Sequence, residues 1–516
     1  MLAGSTPVLS VNPSLAKRVL IAGTGSNVGK SMIVTGLMRW CYQRGIAAAP
    51  FKGQNMALNS AVAVDGGEVA RAQAVQARAG GVRVEVAMNP VLIKPTGRER
   101  SQLIVKGRPI GEIASGGWIA AKRGLLDTVV GAFEELAERF QIIIAEGAGS
   151  AGEINLLPGD LANLRLAKAL NMGTVLVGDL EPGGVFASIY GHYLLVGEQY
   201  RPLLRGFILN RVRGDGKILD AGIEELTRRL GTEWFGNVPL IDGFLPGEDA
   251  LNLGATATSY ASASQMRGQD HDRIQVRVVE LPYLANYTDF DPLIVEPAID
   301  LRFVTRPDEL MDADLVILPG TKATVAALNW LRQSDIARRL VELTDAGVWL
   351  LGICGGYQML VEEIDDEVES GVGRVPGLGL LGGGVVFGVD KTLANVTGSS
   401  PGFGDAGVRG YQIHHGVVKT TEEPLFMLGG ADGDVAQRSP LVAEGACRGD
   451  QVFGTSVHGL FDQDEFRRSF LARLAHARQR AFASTLCFDQ FIDESLDHLA
   501  DVLDENLNVA HLLGLD

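Results

Sequence analysis

A cysteine followed by two glycines is the first feature of this 516-residue sequence that predicts chemistry. Cys354 ends the apolar run Val348–Ile353 and precedes Gly355, Gly356 and a helical pattern. A nucleophile on so sharp a strand-to-helix turn stands above the sheet, and the helix N-terminus favours its thiolate form. The N–H of Gly355 then points to where an oxyanion would form, and Gly320, after another predicted strand, is the expected second donor. The alternative, a buried structural cysteine, does not explain the turn.

A cysteine nucleophile of this kind needs a base, which is expected to be a distant histidine. His458, in Gly-Thr-Ser-Val-His-Gly-Leu-Phe, follows a short predicted strand and is the preferred candidate. His414 and His415 are its rivals. Adjacent strand residues point to opposite faces, so at most one of these two is expected to face the cysteine. We therefore predict that Cys354 and His458 are the catalytic pair.

A second chemical motif joins the apolar run Val19–Ala22 to a helical pattern that begins at Lys30. Glycines let backbone N–H groups turn toward a phosphate, and the helix N-terminus adds a favourable field. The lysine would neutralise phosphate charge, and the Ser31 hydroxyl would bind Mg²⁺. An ordinary glycine-rich turn is the alternative. The residues predicted to bind ATP here are Gly23, Thr24, Gly25, Val28, Gly29, Lys30 and Ser31.

The composition of the chain limits its partners and its surroundings. Four scattered cysteines are too few for a disulfide framework, which favours a reducing, cytoplasmic location. The formal net charge of −16 argues against nucleic acid or an anionic membrane as a partner. No run approaches the roughly 20 apolar residues that spanning a membrane needs. The length and the hydrophobic fraction of 46% predict two or more packed domains.

Apolar strand-like runs alternate with helical patterns, which predicts an α/β protein of two domains, each a mainly parallel sheet flanked by helices. The runs are Val19–Ala22, Ile142–Ala145, Thr174–Val177, Phe207–Leu209, Ile274–Val279, Leu315–Leu318 and Val348–Ile353. Helical patterns include Lys30–Arg44 and Asp127–Phe140. We predict a first domain over residues 17–254, a linker over 255–272, a second domain over 273–483 and a helical tail over 484–516. The amphipathic tail is expected to pack on the second domain.

The loop Gly-Thr-x-x-x-Val-Gly-Lys-Ser resembles that of the dethiobiotin-synthetase branch of P-loop proteins, which phosphorylate carboxylate-type substrates. The resemblance implies a second phosphate-side lysine at Lys52 and acidic contacts to Mg²⁺ at Glu146 and Glu68. It also implies that Asn210 reads the adenine. The alternatives are a solvated ion pair for Lys52 and Glu68, and a turn former for Asn210.

The segment Gly-Ile-Cys354-Gly-Gly-Tyr-Gln resembles class I glutamine amidotransferases, in which the cysteine attacks glutamine and forms a thioester. That family usually carries a glutamate two residues after the histidine, but this chain has Leu460 there. The departure leaves the group that orients His458 open. In lacking that glutamate, this chain is similar to the cobalamin-pathway subgroup.

Longer motifs, in the same order over roughly residues 17–480, resemble the glutamine-dependent cobyric acid synthase family. They include Pro50–Ser60, Gly66–Gln73, Met88–Pro95, Gly178–Ala187 and Asn286–Pro292. The resemblance implies amidation of peripheral carboxylates of a corrinoid, adenosylcobyrinic acid a,c-diamide. ATP would form an acyl phosphate, and L-glutamine would supply ammonia that travels inside the protein. Two departures are Glu181-Pro182, where the family has Asp-Arg, and Gln412, where it has Glu.

The polar loop Gln54–Asn59 is a candidate for substrate recognition, with Gln54, Asn55 and Asn59 as contacts and a hydrogen-bonded turn as the alternative. Two other functions stay open. Cobyrinic acid a,c-diamide synthase resembles this chain in architecture and chemistry but looks to carry acidic residues in that loop. A P-loop partitioning ATPase resembles it in the phosphate loop, yet such proteins have an additional early lysine, absent from residues 23–27, and no cysteine elbow.

Overall fold

The computed structural model describes residues 16–96, 100–114, 117, 124–241, 273–431 and 440–516. The predicted linker, 255–272, and the last predicted residues of the first domain, 242–254, lie outside these ranges. On either side of them, one set of strands ends at Pro239 and the next begins at Ile274. In the part of the chain that is described, no helix combines the length and the apolar character needed to cross a membrane.

The first domain alternates strands and helices, as the apolar runs predict. Its strands are β1 (Lys17–Gly23), β2 (Ala48–Phe51), β3 (Asn55–Met56), β4 (Ser60–Val62), β5 (Glu68–Ala70), β6 (Val91–Pro95), β7 (Arg100–Val105), β8 (Arg108–Ala114), β9 (Ile142–Glu146), β10 (Gly173–Asp179), β11 (Leu204–Val212) and β12 (Glu233–Pro239). Its helices are α1 (Lys30–Gln43), α2 (Arg71–Ala79), α3 (Leu125–Ala137), α4 (Leu164–Ala169), α5 (Val185–Leu195) and α6 (Asp220–Leu230).

Six of these strands form one parallel sheet in the order β12–β11–β10–β1–β9–β2. The central strand β1 has β9 on one side and β10 on the other, with Ile21 paired to Glu146. Parallel neighbours bring their carboxyl ends to the same edge, so the loop after β1 and the acid that ends β9 lie side by side. Strands β3, β6, β7 and β8 form a separate small sheet, and β4 pairs with β5.

The second domain restarts the same alternation. Its strands are β13 (Ile274–Val279), β14 (Ile299–Val304), β15 (Leu315–Leu318), β16 (Trp349–Ile353), β17 (Glu363–Asp366), β18 (Gly373–Pro376), β19 (Gly384–Ser400), β20 (Ala406–Lys419), β21 (Phe426–Gly430), β22 (Val442–Glu444), β23 (Ala446–Arg448), β24 (Val452–Thr455) and β25 (Val457–His458). Its helices are α7 (Asp291–Val295), α8 (Thr324–Gln333), α9 (Ile336–Asp345), α10 (Gly355–Leu360) and α11 (Asp464–Ala477).

Two sheets share this domain. The sheet in the order β14–β13–β15–β16–β24–β23 is parallel except for its last pair, and it carries Cys354 after β16. The other contains β17 to β22 and β25, and its longest pairing, β19 with β20, is antiparallel. This mainly antiparallel sheet adds to the predicted architecture. It positions the base, because β20 pairs with β25 at Tyr411 and His458.

The tail forms α12 (Phe488–Asn506) and α13 (Val509–Leu513), and its predicted packing on the second domain is wrong. The apolar face of α12 joins the core of the first domain on the outer side of α1. Gly36 of α1 permits the close approach, since a Cβ there would lie 2.5 Å from Leu503 Cδ1. Charge matches as well: Arg39 Nε donates to Asp497 Oδ1 at 2.7 Å.

Candidate functional site

Cys354 occupies the predicted elbow between β16 and α10. Its backbone has φ 50° and ψ −108°, a left-handed conformation that L residues rarely adopt and that marks strain at functional sites. The two glycines that follow are needed for packing. A Cβ on Gly355 would lie 3.0 Å from Thr321 N, and one on Gly356 would lie 1.9 Å from Leu318 O. The loop after β15 therefore packs directly against the elbow.

Gly320 lies between the two predicted catalytic side chains. A Cβ at this position would be 3.1 Å from His458 Cε1 and 3.8 Å from Cys354 Cβ. Only glycine leaves this space open for a substrate amide. The structure thus brings together Cys354, His458 and the two glycines predicted as oxyanion donors, and all but Gly355 line one pocket.

Asp289 lies where a group that orients His458 is expected, and the sequence alone did not identify this group. His458 Nδ1 lies 2.7 Å from Asp289 Oδ2, and the N–H of Gly459 donates to Oδ1 of the same carboxylate at 2.8 Å. Both side chains are buried, at 1% and 2% exposure. Burial opposes a charge on the imidazole, but the Asp289 carboxylate and the neighbouring Cys354 outweigh it and raise the pKa of His458 to about 10. The three residues are a candidate Cys–His–Asp triad: Cys354 lines the same pocket as His458, and its Sγ donates to Ile413 O at 3.8 Å.

The rival histidines line the same pocket but differ from His458 in their electrostatics. Burial lowers the pKa of His414 to about 4 and lowers that of His415 as well. Both are therefore neutral at pH 7. Both residues line the pocket, but this does not show that both side chains face the cysteine, so the expectation that at most one does stays a prediction. The β19–β20 register breaks between Phe387 and Thr392, and this irregularity removes the simple alternation of faces.

The first domain supplies one wall of the cysteine pocket. Lys94 and Lys391 both line it, and they come from different domains. Both bind Glu68, with Lys94 Nζ 2.7 Å from Oε1 and Lys391 Nζ 2.5 Å from Oε2. Although burial favours a neutral carboxyl, the two ammonium groups hold the pKa of Glu68 well below its usual range. Because Glu68 is fully buried and bound to these two lysines, it is not a solvated partner of Lys52, and the Mg²⁺ contact expected at Glu68 stays a prediction.

The phosphate loop has the predicted form. Gly29 caps α1 with φ 97°, and Lys30 arches back so that its Nζ donates to Gly25 O at 2.9 Å and to Gly149 O at 3.0 Å. Thr24 N donates to Val177 O at 3.0 Å and anchors the loop to β10. Gly23 must be small, because a Cβ would lie 2.7 Å from Val28 Cγ2. The Lys30 ammonium group is therefore held between a carbonyl oxygen of the phosphate loop and one of the segment after β9.

Glu146 accepts hydrogen bonds from three polar side chains beside this loop. Its Oε1 accepts from Ser31 Oγ at 2.8 Å and from Lys52 Nζ at 2.7 Å. Its Oε2 accepts from Gln76 Nε2 at 2.6 Å. Hydroxyl and carboxylate oxygens are the ligands that Mg²⁺ prefers. The donor set at Ser31 and Glu146 thus fits the predicted metal, and Lys52 lies where a second phosphate-side cation is expected.

Asn210 lies inside β11 and contacts the phosphate loop. Its Nδ2 donates to Val28 O at 2.8 Å, and a Cβ on Gly29 would collide with it at 2.0 Å. Among the described residues, its buried Oδ1 has no hydrogen-bond partner. The amide therefore holds the loop with one end and offers an acceptor with the other, which is compatible with the predicted contact to an adenine amino group.

The predicted substrate loop is more buried than expected. Asn55 Nδ2 donates to Gln73 Oε1 at 3.1 Å, and Asn59 Oδ1 accepts from Tyr287 N of the second domain at 3.3 Å. Gln54 is also buried, at 8% exposure. These contacts favour the alternative of a hydrogen-bonded turn for Asn55 and Asn59, with the turn serving the domain interface.

The Glu181-Pro182 departure is partly compensated in the structure. Arg213, which follows β11, forms an ion pair with Glu181. Arg211 pairs with Asp179 Oδ2 at 2.6 Å and donates to Asn27 O of the phosphate loop at 2.9 Å. An arginine of β11 and one that follows it thus pair with the acids on either side of Leu180.

Sequence reasoning missed two groups of the site. Asp289 lay within the motif Asn286–Pro292 that carried the family resemblance, yet it is 169 residues from His458, so no spacing connected them. Gln76, which binds Glu146, sits on α2 just after the motif Gly66–Gln73. Only the fold shows what these motif residues contact.

Comparison with known proteins agrees with this geometry. Residues 19–252 match the family described as CobQ/CobB/MinD/ParA nucleotide binding domain, and residues 275–466 match the CobB/CobQ-like glutamine amidotransferase domain. The chain is 42% identical to cobyric acid synthase of Frankia casuarinae over 96% of both proteins. It is 41% identical to cobyric acid synthase of Streptomyces avermitilis over 96% of both. It is 38% identical to that of Salmonella arizonae, over 96% of this chain and 97% of the other.

These relatives share nearly the full length of the chain, so the resemblance includes both domains and their order. A glutamine amidotransferase domain beside a nucleotide-binding domain makes the chain a glutamine-dependent ligase. It belongs to the cobyric acid synthase family.

Proposed function

We propose that the chain synthesises cobyric acid by ATP- and glutamine-dependent amidation of peripheral carboxylates of adenosylcobyrinic acid a,c-diamide. The observation that carries the proposal is the direct contact between the cysteine pocket and the nucleotide-binding domain. Asn286, which lines the cysteine pocket, accepts from Ser60 N of the first domain at 3.0 Å. Ser60 Oγ in turn binds Lys94 at 2.7 Å. Nitrogen transfer inside one chain requires a glutaminase in contact with the domain that binds the nucleotide.

In the glutaminase, the Cys354 thiolate attacks the carboxamide carbon of glutamine. The N–H groups of Gly355 and Gly320 stabilise the oxyanion that forms. Because its pKa is near 10, His458 holds a proton at neutral pH and donates it to the departing nitrogen, which leaves as ammonia. Water, deprotonated by the neutral imidazole, then attacks the thioester carbon; glutamate is released, and the thiolate and the protonated imidazole are restored. Asp289 fixes the ring through both proton transfers.

In the first domain, the γ-phosphoryl group of ATP passes to a corrinoid carboxylate and gives an acyl phosphate and ADP. Lys30 and Lys52 stabilise the charge on the transferring phosphoryl oxygens. Mg²⁺, held by Ser31 and Glu146, would neutralise the β- and γ-phosphates. Ammonia attacks the acyl carbon, and phosphate leaves with its bonding electrons, so the carboxylate becomes an amide.

Ammonia is useful to this reaction only while it is unprotonated. Transfer through bulk water at neutral pH would convert it to ammonium, which is not a nucleophile. The buried hydrogen bond of Ser60 with Asn286 joins the two domains, and Lys94, which lines the pocket, binds Glu68 within the first domain. We assign the ammonia route to this interface.

The test is an assay of the purified chain with ATP, Mg²⁺, glutamine and one of two corrinoids. With adenosylcobyrinic acid a,c-diamide we expect successive mass changes, each replacing OH by NH₂, together with ADP and glutamate. Cobyrinic acid is the competing substrate. Amidation of cobyrinic acid at its a and c positions, with no reaction of the diamide, would identify a cobyrinic acid a,c-diamide synthase instead.

A further inference from the structure

Arg71 belongs to the first domain but its side chain reaches the second. It begins α2, and its N–H donates to Asn59 O at 3.1 Å within its own domain. Its Nη2 lies 3.9 Å from Asp462 Oδ2, and its Cζ lies 5.9 Å from the centre of the Tyr411 ring. The guanidinium thus crosses the domain boundary.

The groups that Arg71 contacts are those that support His458. The Tyr411 ring stacks on the His458 ring with a centroid distance of 5.4 Å and an angle of 27°. Asp462 closes the turn after the catalytic histidine, its N–H donating to Gly459 O at 3.1 Å. Arg71 therefore acts on the imidazole only indirectly, through Tyr411 and through Asp462.

The same guanidinium faces a group of buried acids. Asp289 and Asp291 lie close enough to Arg71 to interact with its charge, as does Asp462. Burial raises the pKa of Asp462 to about 6 and that of Asp291 well above its ordinary value, while Arg71 opposes both shifts. Without this cation the three carboxylates would repel one another next to the triad.

The helix that carries Arg71 also contacts the nucleotide site. Gln76, less than two turns further along α2, donates to Glu146 Oε2 at 2.6 Å, and Gln73 donates to Gln76 Oε1 at 3.3 Å. All three amide and carboxyl side chains are fully buried or nearly so. One short helix therefore joins the carboxylate beside the phosphate loop to the residues behind His458.

We infer that Arg71 is a positioning residue of the glutaminase, supplied by the nucleotide-binding domain, and that α2 thereby links glutamine hydrolysis to the nucleotide site. This inference rests on the proposed function, because it takes Cys354 and His458 as the groups that hydrolyse glutamine. Arg71 holds the Tyr411 and Asp462 supports in place. A displacement of α2 at Glu146 moves those supports and changes the turnover of the triad.

The experiment measures glutaminase kcat and KM of the full chain, with and without ATP and Mg²⁺, in wild type, Arg71→Ala, Arg71→Lys and Arg78→Ala. Arg78 is the matched control, because it lies on the same helix but pairs with Asp489 and Asp493 of the tail. Arg71→Ala should lower kcat about tenfold, since groups that couple two sites change rates by such amounts. The KM for glutamine should stay within about twofold, because Arg71 does not line the pocket. Arg71→Lys should recover part of kcat, and Arg78→Ala should match wild type.

Adding ATP and Mg²⁺ should change the wild-type glutaminase rate and leave that of Arg71→Ala nearly unchanged. Wild-type kcat in Arg71→Ala, or an equal loss in Arg78→Ala, would overturn the positioning role. A wild-type rate indifferent to ATP and Mg²⁺ would overturn the link through α2. Ammonia-dependent synthesis, retained in a folded Arg71→Ala, excludes a general folding defect. Cys354→Ala tests the proposed function independently of Arg71. If Cys354→Ala kept its glutaminase activity, the proposed function would be wrong whatever the result for Arg71.

Discussion

Asp289 and His458 are joined by a buried 2.7 Å contact between Oδ2 and Nδ1, and this contact replaces the glutamate that related amidotransferases place after the histidine. Leu460, which stands at that position, is fully buried in the apolar core of the domain. The acid comes instead from the segment before α7. A carboxylate from another element therefore contacts the ring where the orienting acid of a triad would lie.

Asp289→Asn should separate the orienting effect of Asp289 on the His458 ring from the effect of its negative charge. The amide keeps the shape but loses the carboxylate that opposes the effect of burial, so the pKa of His458 should fall from about 10. The imidazole then loses its proton at lower pH, and the alkaline fall of glutaminase activity should move below pH 10. We expect kcat to drop about 100-fold or more at pH 7. A pH–rate profile of both proteins checks this, with ammonia-dependent synthesis as the internal control. An unchanged alkaline limb would remove Asp289 from the triad.

The three histidines of the pocket should differ sharply when replaced by alanine. His458→Ala should lose nearly all glutaminase activity and retain ammonia-dependent amidation. His414 and His415 are held neutral by burial and bind the backbone oxygens of Gly416 and Gly388, so their replacement should mainly lower stability or domain coupling. Glutaminase rates and melting temperatures of the three variants decide the matter. A His414→Ala or His415→Ala protein that is stable yet inactive would reverse the assignment.

Lys30→Ala should affect both nitrogen sources equally. Its ammonium group stabilises charge in phosphoryl transfer, a step that precedes any use of ammonia, so we expect a loss of about 100-fold or more in each assay. Lys217→Ala, an exposed lysine of the same domain, is the control and should behave as wild type. Normal turnover with ammonium salts in Lys30→Ala would place the phosphate site elsewhere.

The contact between the tail and α1 can be tested by a matched pair of glycine substitutions. Gly36→Ala and Gly131→Ala both gain helix propensity worth about 1 kcal/mol. At Gly131 a Cβ meets nothing within 4 Å, whereas at Gly36 it lies 2.5 Å from Leu503 and 2.9 Å from Leu499. Gly131→Ala should keep or raise the melting temperature, and Gly36→Ala should lower it. If both variants were stabilised alike, α12 would not pack on α1 as described.

Parts of this fold were predictable because the relevant signal is local. Ile274–Val279 and Leu315–Leu318 are strands with the predicted ends, since a continuous apolar run has few other uses in an α/β domain. The loop after β1 and the elbow after β16 followed from glycines at strand ends. These features depend on neighbours in sequence.

Other parts depended on contacts that no local pattern encodes. β19 is half-buried and rich in small and polar residues, so its pairing with β20 was not visible as an apolar run. The amphipathic pattern of the tail indicates that it packs on a core but not on which domain, because the fit of Leu499 and Leu503 against Gly36 of α1 exists only in three dimensions. The partners of Glu68, Lys94 and Lys391, likewise come from separate segments and neutralise a carboxylate that the family resemblance assigned to metal.

The most direct measurement of the central claim follows the nitrogen atom. The protein is supplied with glutamine labelled in its amide nitrogen, unlabelled ammonium at an equal concentration, ATP, Mg²⁺ and the corrinoid diamide, and the label in the new amides is read by mass. Wild type should place mainly labelled nitrogen in the product, because ammonia passes from Cys354 to the acyl phosphate within the protein. Cys354→Ala should give product with unlabelled nitrogen alone. Wild-type product that carries the nitrogen of the solution, or labelled product from Cys354→Ala, would contradict the account.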